Sequence, residues 1–195
     1  MKTFTLNPQI LVAAYSQGFF PMPEEQTEEV RWYRPDPRAI IPLQGFHISR
    51  SLQRRLNRKD FSFTFNQEFR EVMKACSHRE ETWINDEFLH AYGRLHELNK
   101  AHSVEIWRNN RLIGGLYGVS LGGAFFAESM FHREPDASKI ALHALVQHLI
   151  ERRFTLLECQ FLTAHLKRLG AIEISDQEYM KRLKLALAQD VEFHS

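Results

Sequence analysis

The stretch SVEIWRNNRLIGGLYGVSLGGAFFAESM, residues 103–130, decides the fold prediction. Its β-branched and aromatic segments are interrupted by two short groups of turn-forming residues, one at Asn109 and one at Gly122. Three strands joined by two tight turns are therefore predicted, at 103–107, 112–119 and 124–130. Strands joined by tight turns run antiparallel, so the stretch predicts an antiparallel meander.

Helices and further strands are predicted on both sides of the meander from apolar periodicity and capping residues. The predicted elements are a helix from Gln9, a basic helix from Ser49, strands at 61–65 and 155–161, and helices at 66–76, 86–98, 137–152, 164–169 and 176–189. Five prolines from Pro21 to Pro42 indicate a loop with a short edge strand. Helices covering a mainly antiparallel sheet define an α+β fold. We divide it into a small N-terminal domain with the basic helix, 1–60, and a larger domain, 61–195.

The composition is that of an ordinary globular protein. Of the 195 residues, 44% are hydrophobic and 12% are aromatic, which supplies the apolar area that disordered chains lack. The net charge of +1 favours neither nucleic acid nor a membrane surface, so a polyanion would need a local patch of cations. No run approaches the roughly 18 to 20 apolar residues of a membrane span.

Several kinds of site are disfavoured by the residues present. Cys76 and Cys159 cannot form a disulfide framework or a four-ligand zinc site, and the ten histidines show no HExxH spacing. Ser129 lacks the flanking glycines of a nucleophile elbow. Metal-dependent hydrolysis and covalent serine catalysis are therefore disfavoured, and no metal is expected. The two cysteines, and an N-terminus without a signal-peptide pattern, indicate a cytoplasmic protein.

A group of cations follows Ser49. Arg50, Arg54 and Arg58, the arginine stripe, are spaced four apart, so they share one face of a helix, and no acid occurs from Ser49 to Lys59. Such a stripe suits a track of phosphates. A solvated helix face is the alternative interpretation, because runs of charge are often plain surface.

Polar residues within apolar strands mark a candidate site. Glu128 lies in the third strand of the meander, and Glu158 and Gln160 lie two apart, on one face of the predicted strand 155–161. A carboxylate inside a sheet is costly without a partner or a function, and a structural ion pair is the alternative. Glycines in the second strand predict a bulge or a close backbone approach: Gly114, Gly115 and Gly118.

Seven blocks of the sequence, taken together, resemble bacterial leucyl/phenylalanyl-tRNA–protein transferases. They are AYSQGFFP (14–21), WYRPDPR (32–38), HISRS (47–51), HELNKAHSVEIW (96–107), GGLYGV (114–119), ESMF (128–131) and ASK (137–139). Because the blocks follow the family's order and extend over most of the chain, the resemblance is more specific than any single motif.

The resemblance implies an enzyme that moves Leu or Phe from aminoacyl-tRNA to the N-terminal Arg or Lys of a protein, which marks that protein for the N-degron pathway. It implies an acetyltransferase-like (GNAT) C-terminal domain and a smaller N-terminal domain, here shortened. The expected partners are Leu-tRNA or Phe-tRNA and proteins with N-terminal Arg or Lys, with no membrane, and the expected state is a monomer. Aminolysis of an activated ester is downhill, so no cofactor is expected, and the enzyme has mainly to position the two ends.

The resemblance also suggests roles for single residues. Trp83, Glu128 and Gln160 match positions that contact the aminoacyl-adenosine end, and the arginine stripe falls in the family's basic tRNA-binding cluster. We assign Gln160 an orienting or polarising role, with Glu158 holding it or attracting the cationic acceptor, a task open to Glu128 as well. The residues that fall where the family lines its amino-acid pocket are Leu116, Phe125, Leu142, Leu145, Leu149 and Leu157.

Three features depart from the family pattern. A Gly-rich segment upstream of the first helix is missing, Met22 stands where many members have Trp, and Glu158 stands where Asp is usual. Stacking on the adenine or ribose at position 22 and the geometry around Gln160 are therefore expected to differ.

Two other functions fit parts of the sequence. An acyl-CoA-dependent GNAT N-acyltransferase would share the fold, but it should carry a Q/R-x-x-G-x-G/A loop before a helix, and segment 133–138 has no such glycines. An RNA-binding module could use the arginine stripe alone. That alternative leaves Glu128, Glu158 and Gln160 unexplained.

Overall fold

The computed structural model describes residues 6–23, 30–77 and 85–194. Its elements, in chain order, are α1 (Pro8–Ser16), β1 (Phe20–Pro23), β2 (Val30–Tyr33), β3 (Arg38–Ile40), a 3-10 turn (Leu43–Gly45), α2 (Arg50–Asn57), β4 (Ser62–Phe65), α3 (Phe69–Ser77), α4 (Asp86–Glu97), β5 (Ala101–Arg108), β6 (Arg111–Leu121), β7 (Ala124–His132), α5 (Ala137–Glu151), β8 (Leu156–Glu158), α6 (Ala164–Arg168), β9 (Ile172–Ile174) and α7 (Asp176–Leu187).

A seven-stranded sheet organises these elements, in the order β4-β5-β6-β7-β8-β3-β9. Every neighbouring pair is antiparallel except β7 and β8, which run parallel. β5, β6 and β7 form the predicted meander, and β1 pairs with β2 in a separate two-stranded sheet. The predicted α+β class with a mainly antiparallel sheet is confirmed.

Helices cover both faces of the large sheet. One apolar cluster draws on α1, α3, α4 and α7, and a second draws on α2 and α5. Side-chain caps start several helices as the sequence indicates: Asn7 Oδ1 accepts the Ile10 N–H at 3.0 Å, and Ser49 Oγ accepts the Leu52 N–H at 3.2 Å. The longest helix in the described ranges has 15 residues, and none there has the length and apolar character needed to cross a bilayer.

Two short strands differ from the sequence prediction. The segment from Pro21 to Pro42 was predicted as a loop with a short edge strand, but its strand β3 lies inside the sheet, between β8 and β9. β9 was not predicted. Three-residue strands are too short to show an alternating pattern, and the prolines beside β3 favour a loop. β3 precedes residue 60, so the large sheet takes in part of the predicted unit 1–60. A division of the chain at residue 60 stays a prediction.

Candidate active site

A β-bulge directs Glu128 out of the strand ladder. In β7, Ser129 pairs with Tyr117 and Ala127 pairs with Gly118, which leaves Glu128 between them without a partner on β6. A Cβ at Gly118 would lie 2.3 Å from the carbonyl oxygen of Phe126, so glycine permits this approach of the two strands. Bulges commonly re-aim a side chain beside an active site. The predicted bulge or close approach is confirmed.

The Glu128 carboxylate is buried among neutral hydrogen-bond donors. Tyr15 on α1 donates to its Oε1 at 2.6 Å, and the Gln160 side-chain amide donates to its Oε2 at 3.2 Å. The hydroxyls of Tyr15 and Tyr92 lie 2.5 Å apart. Burial raises the pKa of Glu128 to about 8, the Glu158 carboxylate adds to the rise, and the bonds from Tyr15, Gln160 and Tyr92 oppose it.

Gln160 is held in an uncommon backbone conformation. Its φ of 65° is left-handed, although its side chain has a Cβ. Two main-chain bonds hold this geometry: the Gln160 N–H donates to Glu158 Oε1 at 2.8 Å, and the Ala39 N–H donates to the Gln160 carbonyl at 3.2 Å. Strained residues of this kind persist where the surroundings over-determine them, and they cluster at functional sites.

Glu158 lies beneath Gln160 in a buried ion pair. Arg38 on β3 donates to Glu158 Oε1 at 2.9 Å, and both side chains are 1% exposed. Arg38 also donates to the carbonyl of Gly18, and its guanidinium lies 4.3 Å from the centre of the Tyr179 ring. Burial raises the pKa of Glu158, and Arg38 counteracts that rise. Of the two tasks predicted for Glu158, this position favours holding Gln160, through its main chain.

The predicted common strand face of Glu158 and Gln160 is wrong. β8 ends at Glu158 because the chain turns at Gln160, so the alternation of strand faces stops there. The two side chains separate as a result: Glu158 meets Arg38, and Gln160 meets Glu128.

A cavity of about 950 Å³ opens beside Glu128 and Gln160. It forms where β7 and β8 separate, because their pairing ends at Phe126 and Glu158 while β7 continues to His132. Apolar side chains line much of the wall: Ile41, Leu116, Met130, Phe131, Leu142 and Leu166. An apolar cavity with a few convergent polar groups is the usual form of a small-molecule site.

Comparisons with known proteins identify the family of this chain. The family model described as leucyl/phenylalanyl-tRNA protein transferase matches residues 40–184, and the model of its N-terminal domain matches residues 4–36. The chain belongs to this family. A leucyl/phenylalanyl-tRNA–protein transferase of Akkermansia muciniphila is 51% identical over 188 residues, which is 94% of this chain and 97% of that protein. One of Herpetosiphon aurantiacus is 51% identical over 186 residues, which is 95% of this chain and 96% of that protein.

The membership makes the chain an aminoacyltransferase. The fold agrees with a solved structure, the GCN5-related glucosamine N-acetyltransferase region of a fungal multi-domain GH3 β-N-acetylglucosaminidase. That chain is 13% identical with a TM-score of 0.51, and the match covers 89% of this chain and 23% of that one. At such low identity the likeness shows the acetyltransferase-like fold alone.

The residues predicted to line the amino-acid pocket of this transferase occupy two layers. Leu116 and Leu142 lie on the cavity wall. The other four are buried in the apolar cluster that α5 forms with the sheet: Phe125, Leu145, Leu149 and Leu157. Trp83 lies outside the described residues. The binding roles of all seven stay predictions.

The arginine stripe occupies the surface of α2. Arg54 and Arg58 line a second concavity, of about 420 Å³, and Arg50 is exposed at the start of the helix. Arg55 between them also lines this concavity, but it is buried and pairs with Asp60. The helix thus separates one paired arginine from three exposed ones, and phosphate binding by those three stays a prediction.

Sequence reasoning missed the tyrosine pair and the partner of Glu158. Tyr15 and Tyr92 lie 77 positions apart, and Arg38 and Glu158 lie 120 apart, so spacing along the chain carries no signal for either contact. The buried acids themselves were the available signal, because each one requires a donor somewhere in the fold. Among the described residues, no group of three or more His, Cys, Asp or Glu could hold a metal ion.

Proposed function

We propose that this transferase moves Leu or Phe from aminoacyl-tRNA to the N-terminal Arg or Lys of an acceptor protein, in the cytoplasm and as a monomer. One observation carries the proposal: a buried carboxylate and an oriented amide, Glu128 and Gln160, meet at the wall of an apolar cavity. The names of the curated relatives support the donor and the reaction.

The apolar wall suits the donor side chain. Leu116, Met130 and Leu142 offer flexible aliphatic surface to a leucyl or phenylalanyl group. Gln160 and Glu128 are at the polar part of the same wall, so a donor whose side chain enters the apolar part would place its ester beside them. The ester bond itself supplies the driving force for forming the amide, so the reaction requires no further energy source.

The acceptor reacts as a neutral amine. An α-ammonium group has an ordinary pKa near 7.7 to 8.0, which is close to the raised pKa of about 8 for Glu128. The raised pKa makes the Glu128 carboxylate a better acceptor for the ammonium proton than an ordinary carboxylate would be. The remaining N–H of the Gln160 amide then polarises the ester carbonyl as the amine attacks. The ester C–O bond breaks as the amide forms, and the 3′-hydroxyl of the tRNA leaves with the proton that Glu128 took up.

The cation of the acceptor side chain also needs a negative partner. Within the described ranges, Glu128 forms no ion pair, so its charge is available to a Lys or Arg that enters the cavity. Approach of that cation lowers the pKa of Glu128 and favours the ionised form. The same carboxylate thus selects a cationic acceptor and prepares it to react.

Transfer of labelled Leu from Leu-tRNA to peptides that differ only in their first residue tests the function. We expect peptides that begin with Arg or Lys to be labelled, and those that begin with Ala or Asp, or whose α-amine is acetylated, to remain unlabelled. An acyl-CoA donor serves as the control for the alternative N-acyltransferase. Acylation from acyl-CoA without transfer from Leu-tRNA would overturn the proposal.

A further inference from the structure

A second part of the same cavity is lined by basic residue types. His132, Arg133 and His165 line it, and Arg168 is close enough to affect the pKa of His165. We call these four residues the cationic rim, after the charge of its two arginines. His132 lies four residues beyond Glu128 along β7, or about 13 Å at the ordinary rise of a strand. The rim and the carboxylate therefore occupy different parts of one cavity.

The arginines of the rim lack acidic partners. Arg133 donates to the carbonyl of Leu112 at 2.9 Å, and within the described ranges neither Arg133 nor Arg168 forms an ion pair. The two acids of the adjacent loop are already engaged, since Glu134 pairs with Arg108 and Asp136 pairs with Lys139. The positive charge of the rim is therefore available to an anionic ligand.

His165 adds a polar group that the fold does not satisfy. Its Nε2 is buried and has no hydrogen-bond partner among the described residues. Burial, with the charges of Lys139, Arg168 and His132, lowers the pKa of His165, so the imidazole stays neutral near pH 7. A neutral imidazole can donate one N–H to an oxygen of a bound anion.

The rim continues into the concavity beneath the arginine stripe. Arg133 lines the large cavity, and the next three residues of the same loop, 134–136, line the concavity that contains Arg54 and Arg58. Cations thus border both sides of the loop between β7 and α5. A strand of phosphates that lies along α2 can pass this loop and reach the cavity while staying close to positive charge.

We propose that the cationic rim binds phosphodiester groups in the single-stranded 3′ end of the aminoacyl-tRNA. Arg133 and Arg168 supply charge, and His165 supplies a neutral donor. The inference rests on the proposed function and assigns the two parts of the cavity to substrates of opposite charge. Repulsion by the rim disfavours the Lys or Arg of the acceptor, which Glu128 attracts.

Two donors separate phosphate binding from binding of the amino acid. Leu-tRNA carries the phosphates, whereas leucyl-adenosine carries the same ester without a phosphate. We expect the double variant Arg133→Gln/Arg168→Gln to raise KM for Leu-tRNA at least fivefold more than KM for leucyl-adenosine. The log–log slope of kcat/KM against salt for Leu-tRNA should become shallower by about 0.7 for each lost contact to a single strand.

Arg70→Gln is the control for loss of a surface arginine, because Arg70 is 77% exposed on α3, pairs with Glu97 and lines neither concavity. Equal changes with the two donors, or a salt slope like that of Arg70→Gln, would overturn the rim as a phosphate site. Turnover of leucyl-adenosine by the double variant reports that its fold is intact. If the unaltered protein transfers Leu from neither donor, the proposed function itself fails.

Discussion

Glu128 and Glu158 are the same residue type in adjacent strands, yet their surroundings differ in two respects, the charge of the partner and contact with the cavity. Tyr15 and Gln160 give Glu128 neutral donors, whereas Arg38 gives Glu158 a cation. Glu128 also lies on the cavity wall, and Glu158 is fully buried beneath it. Burial raises the pKa of both carboxyl groups, but of the two only Glu128 lines the cavity.

The difference shows how one sheet can hold a reactive acid beside a structural one. A buried charge with a charged partner is costly to separate, so it stabilises one arrangement of the chain around it. A buried acid among neutral donors keeps the option of taking up or releasing a proton. The two acids are linked through Gln160, whose main chain bonds to Glu158 and whose side chain bonds to Glu128.

The largest effect is expected from Arg38→Met, which leaves the Glu158 carboxylate buried without its cation. We expect the free energy of unfolding to fall by about 3 to 5 kcal/mol, measured by urea denaturation. The matched double variant Arg38→Met/Glu158→Met removes both charges and should recover most of that loss. If Arg38→Met is as stable as the unaltered protein, the ion pair of Arg38 with Glu158 does not stabilise the fold.

Glu128→Gln should change how stability depends on pH. The folded-state pKa of Glu128, about 8, lies above the ordinary value of 4.5, so its contribution is full below pH 4.5 and is lost as pH rises to 8. The slope in this window is at most about 1.4 kcal/mol per pH unit, and the neutral amide should remove it. Urea denaturation at pH 5 and pH 8 measures the effect. Parallel pH profiles for the two proteins would contradict a raised pKa at Glu128.

A smaller effect should distinguish two arginines on α2, one paired with an acid and one exposed. Both line the second concavity, but Arg55 is buried and paired with Asp60, whereas Arg54 is exposed. We expect Arg54→Gln to make the salt dependence of tRNA binding shallower by about 0.7 to 0.9 in the log–log slope. Arg55→Gln should leave that slope unchanged and lower stability instead. Equal slopes for both variants, measured by filter binding, would leave the arginine stripe as ordinary surface.

The meander and the bulge could be predicted from local residues. Turn residues at Asn109 and Gly122 delimit the strands, and glycine at 118 permits the close approach that the bulge needs. Such signals lie within a few positions of the structure that they produce, so a single sequence contains them. The acids at 128 and 158 were identified as a candidate site for the same reason, since charge is unusual inside a strand.

The parts that escaped prediction depend on contacts between distant segments. β3 is a three-residue strand beside prolines, and it becomes part of the sheet because β8 and β9 bond to both of its edges. The turn at Gln160 stops the alternation that placed it beside Glu158 on one face. Tertiary hydrogen bonds determine both features, and a local pattern cannot reveal them.

The kinetics of Glu158→Gln with Leu-tRNA and Arg-initiated peptides test the division of tasks between the two acids most directly. If Glu158 acts by holding Gln160, kcat should fall about 10- to 100-fold while both KM values stay within about twofold. Glu158→Asp, which keeps the carboxylate, should recover kcat in part. Glu128→Gln should lower kcat too, because the proton acceptor is lost, and it should also raise KM for Arg-initiated peptides more than KM for Leu-tRNA. A Glu158→Gln variant with raised KM for those peptides and unchanged kcat would contradict the account, because it would make Glu158 the partner of the acceptor.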